Sequence, residues 1–158
     1  LELHFVGNIG ECSDAFAPYA SEVGRTIKLH GLLGGQAALA AVDGAAVVIN
    51  LGNSNPCQLP SKLVEYMALA KPILNVLQTD GDPSLEILGE YPWAMNIFAD
   101  THVPTAEQVQ NVVRHIERSI TTDEMIEWAD SEVLAPFGLT SVAAQYRRAL
   151  FGNADARA

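Results

Sequence analysis

Basic residues are scarce in this chain: nine Lys and Arg stand against nineteen Asp and Glu, for a formal net charge of -10. Nucleic-acid binders carry a basic patch that neutralises phosphates, and these nine cations are scattered, so nucleic acid is excluded as a partner. The same scarcity means that a phosphate-bearing ligand would depend on local N–H groups rather than on a long-range attractive field. Cysteine is nearly absent as well. Cys12 and Cys57 stand alone, without CxxC or Cys/His ligand spacing, which argues against structural zinc and against a disulfide framework. A reducing, cytoplasmic setting is the expectation. Long hydrophobic runs are missing too. Asp43 interrupts the richest apolar stretch, so no segment reads as a transmembrane helix. No signal-peptide pattern is read at the start. Neither a Walker loop nor a GxSxG elbow occurs, which removes the simplest P-loop and serine-hydrolase readings.

What is present is ordinary globular material. The 158 residues are 49% hydrophobic and 18% charged, a balance that supports one ordered domain with its own core. Short apolar strands at 3–7, 26–30, 46–50, 72–77 and 94–98 alternate with helical stretches at 12–22, 35–42, 60–70 and 83–88. Such alternation predicts an α/β fold: a doubly wound, mainly parallel five-stranded Rossmann-like sheet with helices on both faces. Val47-Val48-Ile49 and Ile73-Leu74-Asn75-Val76 are continuous apolar runs, as expected of strands buried on both faces. Right-handed crossovers leave few strand orders, of which the flavodoxin-like 2-1-3-4-5 is the simplest. In that order the loops leaving strands one and three would meet at one crevice. They are Gly7-Asn8-Ile9-Gly10 and the segment ending in Pro60-Ser61-Lys62.

The remainder reads as helical. Val109, Val112, Val113, Ile116 and Ile120 recur at helical spacing, and Thr105-Ala106-Glu107-Gln108 has the form of a capping box. Thr121-Thr122-Asp123-Glu124 reads as another helix start. A last helix near Val142, Tyr146 and Leu150 follows the breakers Pro136 and Gly138. Residues 152–158 read as a frayed tail, which leaves 1–151 as a single domain with a helical C-terminal segment. The first residue is not Met, and Leu3-His4-Phe5-Val6 already has strand character. The chain is therefore expected to be part of a longer protein.

Chemistry concentrates between the third strand and the helix that follows. Proline suits the first helical position, because its missing N–H would be unpaired there. The N–H groups of Ser61 and Lys62 are then free to face a ligand, with the positive end of the helix dipole behind them. Ser61, Lys62 and Glu65 share one side of the helix by spacing, and Leu63, Met67 and Ala70 share the side expected to face the core. An anion at the tip with hydroxyls beside Glu65 would describe the diphosphate and ribose of a nucleotide. The bland alternative is that Lys62 and Glu65 form a surface ion pair of little consequence.

Other candidates are weaker. Gly7-Asn8-Ile9-Gly10 follows a strand and precedes a helix, but it lacks the full GxGxxG pattern and an acidic residue about 20 positions on. A tight turn is the plain reading. The glycines of His30-Gly31-Leu32-Leu33-Gly34-Gly35 would let backbone approach a flat base, or simply make a turn. His4 reads as structural, and His102 and His115 as solvated helix positions. Cys57 has no His close in sequence, so nucleophilic catalysis has no support.

The run from Gln58-Leu59-Pro60-Ser61-Lys62-Leu63-Val64-Glu65-Tyr66-Met67-Ala68 to Leu69-Ala70-Lys71-Pro72-Ile73-Leu74 resembles the donor-binding, C-terminal half of GT-B-fold glycosyltransferases of the family 4, or group 1, branch. The preceding pattern fits in order: Val6-Gly7, Ile27-Lys28-Leu29-His30-Gly31, Asp43-Gly44-Ala45 and Val47-Val48-Ile49. The likeness covers about residues 1–90 and is specific around 58–74. It implies a nucleotide-diphosphate sugar as donor substrate, retention at the anomeric carbon, and no metal or other cofactor. Ser61 and Lys62 would face the diphosphate. Glu65 matches the second Glu of the family's Glu-x7-Glu motif, which binds ribose. The backbone near Gly31 and Leu32 would lie against the base, with Gly7 and Asn8 in the opposite loop and Gln58, Leu59 and Pro60 leading into the helix.

Three departures accompany the likeness. The first motif Glu would fall at Cys57, so sugar recognition must rely on Gln58 and neighbouring N–H groups or differ altogether. The family's first strand and helix of this half, with an Arg and a Lys for the phosphates, would precede Leu1. The N-terminal acceptor domain would lie outside the chain too. The resemblance thus implies a sugar transferase in glycan or glycolipid synthesis, in the cytoplasm or peripheral to the inner membrane face, with this chain as its donor half and inactive alone. A nucleotide-sugar epimerase of the same fold and a non-catalytic scaffold module are the alternatives.

Overall fold

Apolar runs bounded by glycine and proline do become strands in the computed structural model, which describes residues 1–99, 104–121 and 134–151. The chain divides into two compact units, Leu1–Ala45 and Ala46–Ala158. In the first, β1 (Leu3–Phe5) and β2 (Ile27–Leu29) run parallel, with Leu3 opposite Ile27 and Phe5 opposite Leu29. The helix expected at 12–22 is instead a 3-10 helix, Gly10–Tyr19. Pro18 lies inside it and cannot donate to an α-helical ladder, and no residue on it is buried to reward α-helical periodicity. Phe16 meets Phe5 edge-on, ring centroids 4.9 Å apart. The alanine-rich helix α1 (Gly35–Asp43) follows β2.

The second unit holds the core. The strands β3 (Val48–Leu51), β4 (Ile73–Leu77) and β5 (Ala94–Phe98) form a parallel sheet in the order β3-β4-β5. Ile73 stands opposite Val48 on one side and Ala94 on the other. The helix α2 (Ser61–Ala68) connects β3 to β4, and α3 (Ser84–Leu88) connects β4 to β5. Leu63 and Met67 of α2, with Ile73 and Leu77 of β4, are 0% exposed, and Leu88, Tyr91 and Trp93 are buried with them. The Tyr91 hydroxyl donates to the Lys71 carbonyl at 2.8 Å, and burial pushes its phenol well above the usual range.

The α/β architecture with parallel strands is as expected, and it is compatible with a Rossmann-like fold. The single five-stranded sheet is not formed. The ladders are two sheets, of two and three strands. These ladders contain three of the four adjacencies of the order 2-1-3-4-5; a β1–β3 pairing is not among them. The physical reason lies in the short strands: β1 and β2 are three residues each, and no residue of Leu1–Ala45 is buried. Little apolar burial is left there to support a longer ladder. The run 47–49 also differs from expectation. In β3, Val48 and Asn50 are buried while Ile49 and Leu51 are exposed, the alternation of a half-buried strand rather than one covered on both faces.

The boundary of α2 is set by backbone chemistry. Ala70 adopts a left-handed conformation, φ 49°. Ala70 N–H donates to the Met67 carbonyl at 2.9 Å and Lys71 N–H to the Tyr66 carbonyl at 3.0 Å, which is a Schellman stop. Ala70 therefore lies beyond the helix, not on its core face. Further on, α4 (Ala106–Thr121) opens on the expected capping box. Thr105 N–H donates to Gln108 Oε1 at 2.8 Å, and Gln108 N–H to Thr105 Oγ1 at 3.2 Å. The helix α5 (Leu139–Phe151) follows Pro136 and Gly138. The start signal at 121–124, beyond Thr121, and the tail at 152–158 lie outside the described residues.

Candidate functional site

The polar segment between β3 and α2 is held down by a buried carboxylate. Asp82 is 3% exposed and accepts from Asn53 N–H at 3.1 Å and Ser84 N–H at 2.8 Å. Gln78 Nε2 donates to the Gly52 carbonyl at 2.9 Å. Gly52 permits this approach, because a Cβ there would stand 2.3 Å from Asp82 Oδ2. Within the loop, Asn53 Nδ2 donates to the Gln58 carbonyl at 2.9 Å, and Cys57 N–H to Asn55 Oδ1 at 3.0 Å. Asparagines thus take up the polar groups of the turn, as their short amides allow.

The loop delivers the chain to α2 one residue later than spacing predicted. Pro60 is extended, φ -60° and ψ 117°, and acts as the N-cap, so Ser61 is the first helical residue. The cause is the first turn's bonding: the Pro60 carbonyl accepts from Leu63 N–H at 3.1 Å, which is what a capping residue's carbonyl does. Ser61 and Lys62 N–H groups have no chain partner among the described residues, and they carry the positive end of the helix dipole.

A cleft of about 380 Å³ opens at this tip. Gln58, Leu59, Pro60, Ser61 and Lys62, all chosen from sequence, line it together. Glu65 does not. Its carboxylate accepts a hydrogen bond from Lys62 Nζ at 2.5 Å across one helical turn, which is the surface ion pair of the bland alternative. That bond, then the charge behind it, raises the pKa of the exposed Lys62 ammonium. Tyr66 occupies the wall in its place, and burial pushes its phenol up, so the ring hydroxyl stays neutral at ordinary pH. Sequence reading missed Tyr66, and also Asn50 and Asn53, which line the cleft as well. A polar Asn inside the apolar run of β3 was the available signal for Asn50.

The first unit has a separate cavity of about 440 Å³, lined by Gly7, Asn8, Ile9, Leu29, Gly31 and Leu32. Four residues chosen from sequence, Gly7, Asn8, Gly31 and Leu32, therefore share one wall. Gly7 N–H donates to the Gly31 carbonyl at 2.8 Å. Both glycines have positive φ, 134° and 66°, and nothing lies within 4 Å of where a Cβ would sit on either. The conformation rather than crowding therefore favours glycine at both. Cys57 is exposed and lines neither cavity.

Among the described residues, no group of three or more His, Cys, Asp or Glu side chains could hold a metal ion. No helix among them is long and apolar enough to cross a membrane.

No family model matches the chain, and no curated protein matches it in sequence. Among solved structures it is similar to AviGT4, a glycosyltransferase involved in avilamycin A biosynthesis. The TM-score is 0.54 at 18% identity, over 96% of this chain and 44% of that one. At that identity the likeness establishes a glycosyltransferase-like fold. The chain spans less than half the length of the structure it matches.

Proposed function

We propose that this chain is the donor-binding part of a retaining, family 4-type glycosyltransferase. The longer protein would transfer a sugar from a nucleotide-diphosphate sugar to an acceptor in glycan or glycolipid synthesis. The observation that carries the reading is the cleft at the start of α2, lined by Ser61 and Lys62 with their unpaired N–H groups, within a fold like that of a glycosyltransferase. These groups suit the charge that gathers on a departing diphosphate, so the reading needs no metal there. A phosphate in the cleft would compete with Glu65 for Lys62 Nζ. The carboxylate so released is a strong acceptor for ribose hydroxyls one turn below the tip. Contact of Gly7, Asn8, Gly31 and Leu32 with a base rests on the resemblance alone; in the first unit taken by itself, they line one cavity. No residue of the chain is assigned a covalent or proton-transfer step. Acceptor binding falls to a further domain, and the setting is the cytoplasm or the inner membrane face.

Saturation-transfer NMR on the full-length protein with UDP, GDP and ADP sugars tests the reading. Transfer to at least one nucleotide is the expected result, and contact with none overturns it. One second reading has an observation behind it. Cys57 stands where the resemblance expects an acid, and Glu65 is outside the cleft and engaged by Lys62, as suits a non-catalytic module of the same fold. Glu65→Ala in the full-length protein separates the two. Lost activity with the fold intact supports the donor site, and unchanged activity supports the module.

A further inference from the structure

The wall of the α2 cleft contains one polar side chain that is almost wholly buried. Asn50 is 3% exposed and lines the cleft. Its Nδ2 donates to Asn75 Oδ1 at 2.7 Å, whereas its own Oδ1 has no hydrogen-bond partner among the described residues. That oxygen is not sealed away from solvent: among the described residues, the side-chain atom both buried and unpartnered is His115 Nε2. On a residue that lines the cleft, an unpartnered amide oxygen with solvent access is available to accept from what occupies it.

The orientation of Asn50 is set from across the sheet. Asn50, Asn75 and Asn96 are register partners on β3, β4 and β5. Asn75, 0% exposed, donates from Nδ2 to Ser84 Oγ at 2.9 Å and to Asn96 Oδ1 at 2.8 Å. Both of its N–H groups are thus engaged, and its oxygen is left for Asn50. Asn50 then gives its amide nitrogen to Asn75 and keeps its oxygen without a partner among the described residues. The bonds from Asn75 to Ser84 and Asn96 on one side and from Asn50 on the other favour this orientation of the ladder.

We propose that Asn50 is a specificity-determining residue of the cleft, its Oδ1 accepting a hydrogen bond from a hydroxyl of the nucleotide sugar, with Asn75 and Asn96 as positioning residues. The proposal rests on the donor-binding reading. Within that reading it adds to the cleft wall a neutral acceptor held by the ladder, one that does not repel phosphate as a carboxylate would.

Calorimetric titration of the full-length protein with UDP, GDP and ADP, and with the glucose conjugate of each, tests it. Asn50→Ala is expected to weaken binding roughly tenfold, the loss of one hydrogen bond. A loss with bare nucleotide as well as conjugate places the hydroxyl on the ribose, and a loss with the conjugate alone places it on the transferred sugar. Asn96 is exposed, so Asn96→Ala tests the ladder should Asn50→Ala fail to fold. It is expected to weaken binding severalfold, with recovery in Asn96→Asp, which keeps an acceptor facing Asn75. Binding by the unaltered protein that is unchanged in Asn50→Ala, at an unchanged melting temperature, overturns the proposal. So does unchanged binding in Asn96→Ala where Asn50→Ala does not fold. No binding of any nucleotide by the unaltered protein overturns the donor-binding reading itself, and the proposal with it.

Discussion

Lys62 and Glu65 meet because residues three apart on a helix are neighbours, and that much follows from spacing. Whether the shared side opens into the cleft depends on where the β3 loop lies, and spacing is silent there. Two other residues carry predictions at this scale. Burial, then the Arg118 charge, lowers the pKa of half-buried His115 below its ordinary 6.5. The fold favours the neutral ring, so its contribution is fully present above pH 6.5 and is lost as the pH falls through the folded-state value. Urea midpoints are expected to drop on acidification through this window, and to drop less in His115→Gln. Equal slopes in the two proteins would refute the assignment. The carboxylates of Glu2 and Glu22, lowered by hydrogen bonds to His4 and Thr26 respectively, respond only from about pH 4.5 downward, so the windows separate. Gly52→Ala places a Cβ against Asp82 Oδ2 and forces the carboxylate off Asn53 N–H. A destabilisation of about 2 kcal/mol is expected, and an unchanged denaturation midpoint would show that the loop yields freely.

Elements were legible where their signals are local. The capping box at Thr105 and Gln108 is formed as read, because both partners lie within one turn. Leu63 and Met67 face the core as their spacing requires. The helix expected at 12–22 forms as a 3-10 helix at Gly10–Tyr19, where Pro18 cannot donate to an α-helical ladder. The end of α2 was overrun because alanine does not announce a left-handed residue as glycine does. That stop suggests a stabilising change. Ala70 holds φ 49° in a Schellman motif, a conformation that costs an L-residue about 1 kcal/mol or more. Ala70→Gly is expected to raise stability by about 0.5 kcal/mol, once glycine's greater freedom in the unfolded chain is subtracted. Urea denaturation measures it, and a lowered midpoint would contradict the account.

At the scale of the whole molecule, the charge balance bears on how an anion arrives. With a formal net charge of -10, the long-range field opposes a nucleotide diphosphate, while the attraction from the α2 tip acts only at close range. Added salt screens the distant repulsion more than the close contact. On the proposed donor-binding reading, nucleotide association is therefore expected to quicken modestly from low to moderate ionic strength, as read by stopped-flow fluorescence. A steep slowing would reveal a positive field that the composition does not contain. The same scale explains the divided sheet. Strand identity and parallel pairing followed from alternation. The extent of each ladder followed from burial, which is concentrated on β4, α2 and α3 and lacking in Leu1–Ala45.

Sequence alone determined the α/β class, the strands and most helices, the polar junction before α2, and five of the residues that line its cleft. Periodicity, capping and turn chemistry act between residues within about four positions of one another. Only the tertiary structure decided that Glu65 stands outside that cleft, that Asp82 pins its loop, and that Asn50 lines it while bonded to Asn75. Asn50 and Asn75 are 25 positions apart, and Asn53 and Asp82 are 29 apart. Partners that distant are chosen by strand register and packing, which no local pattern encodes.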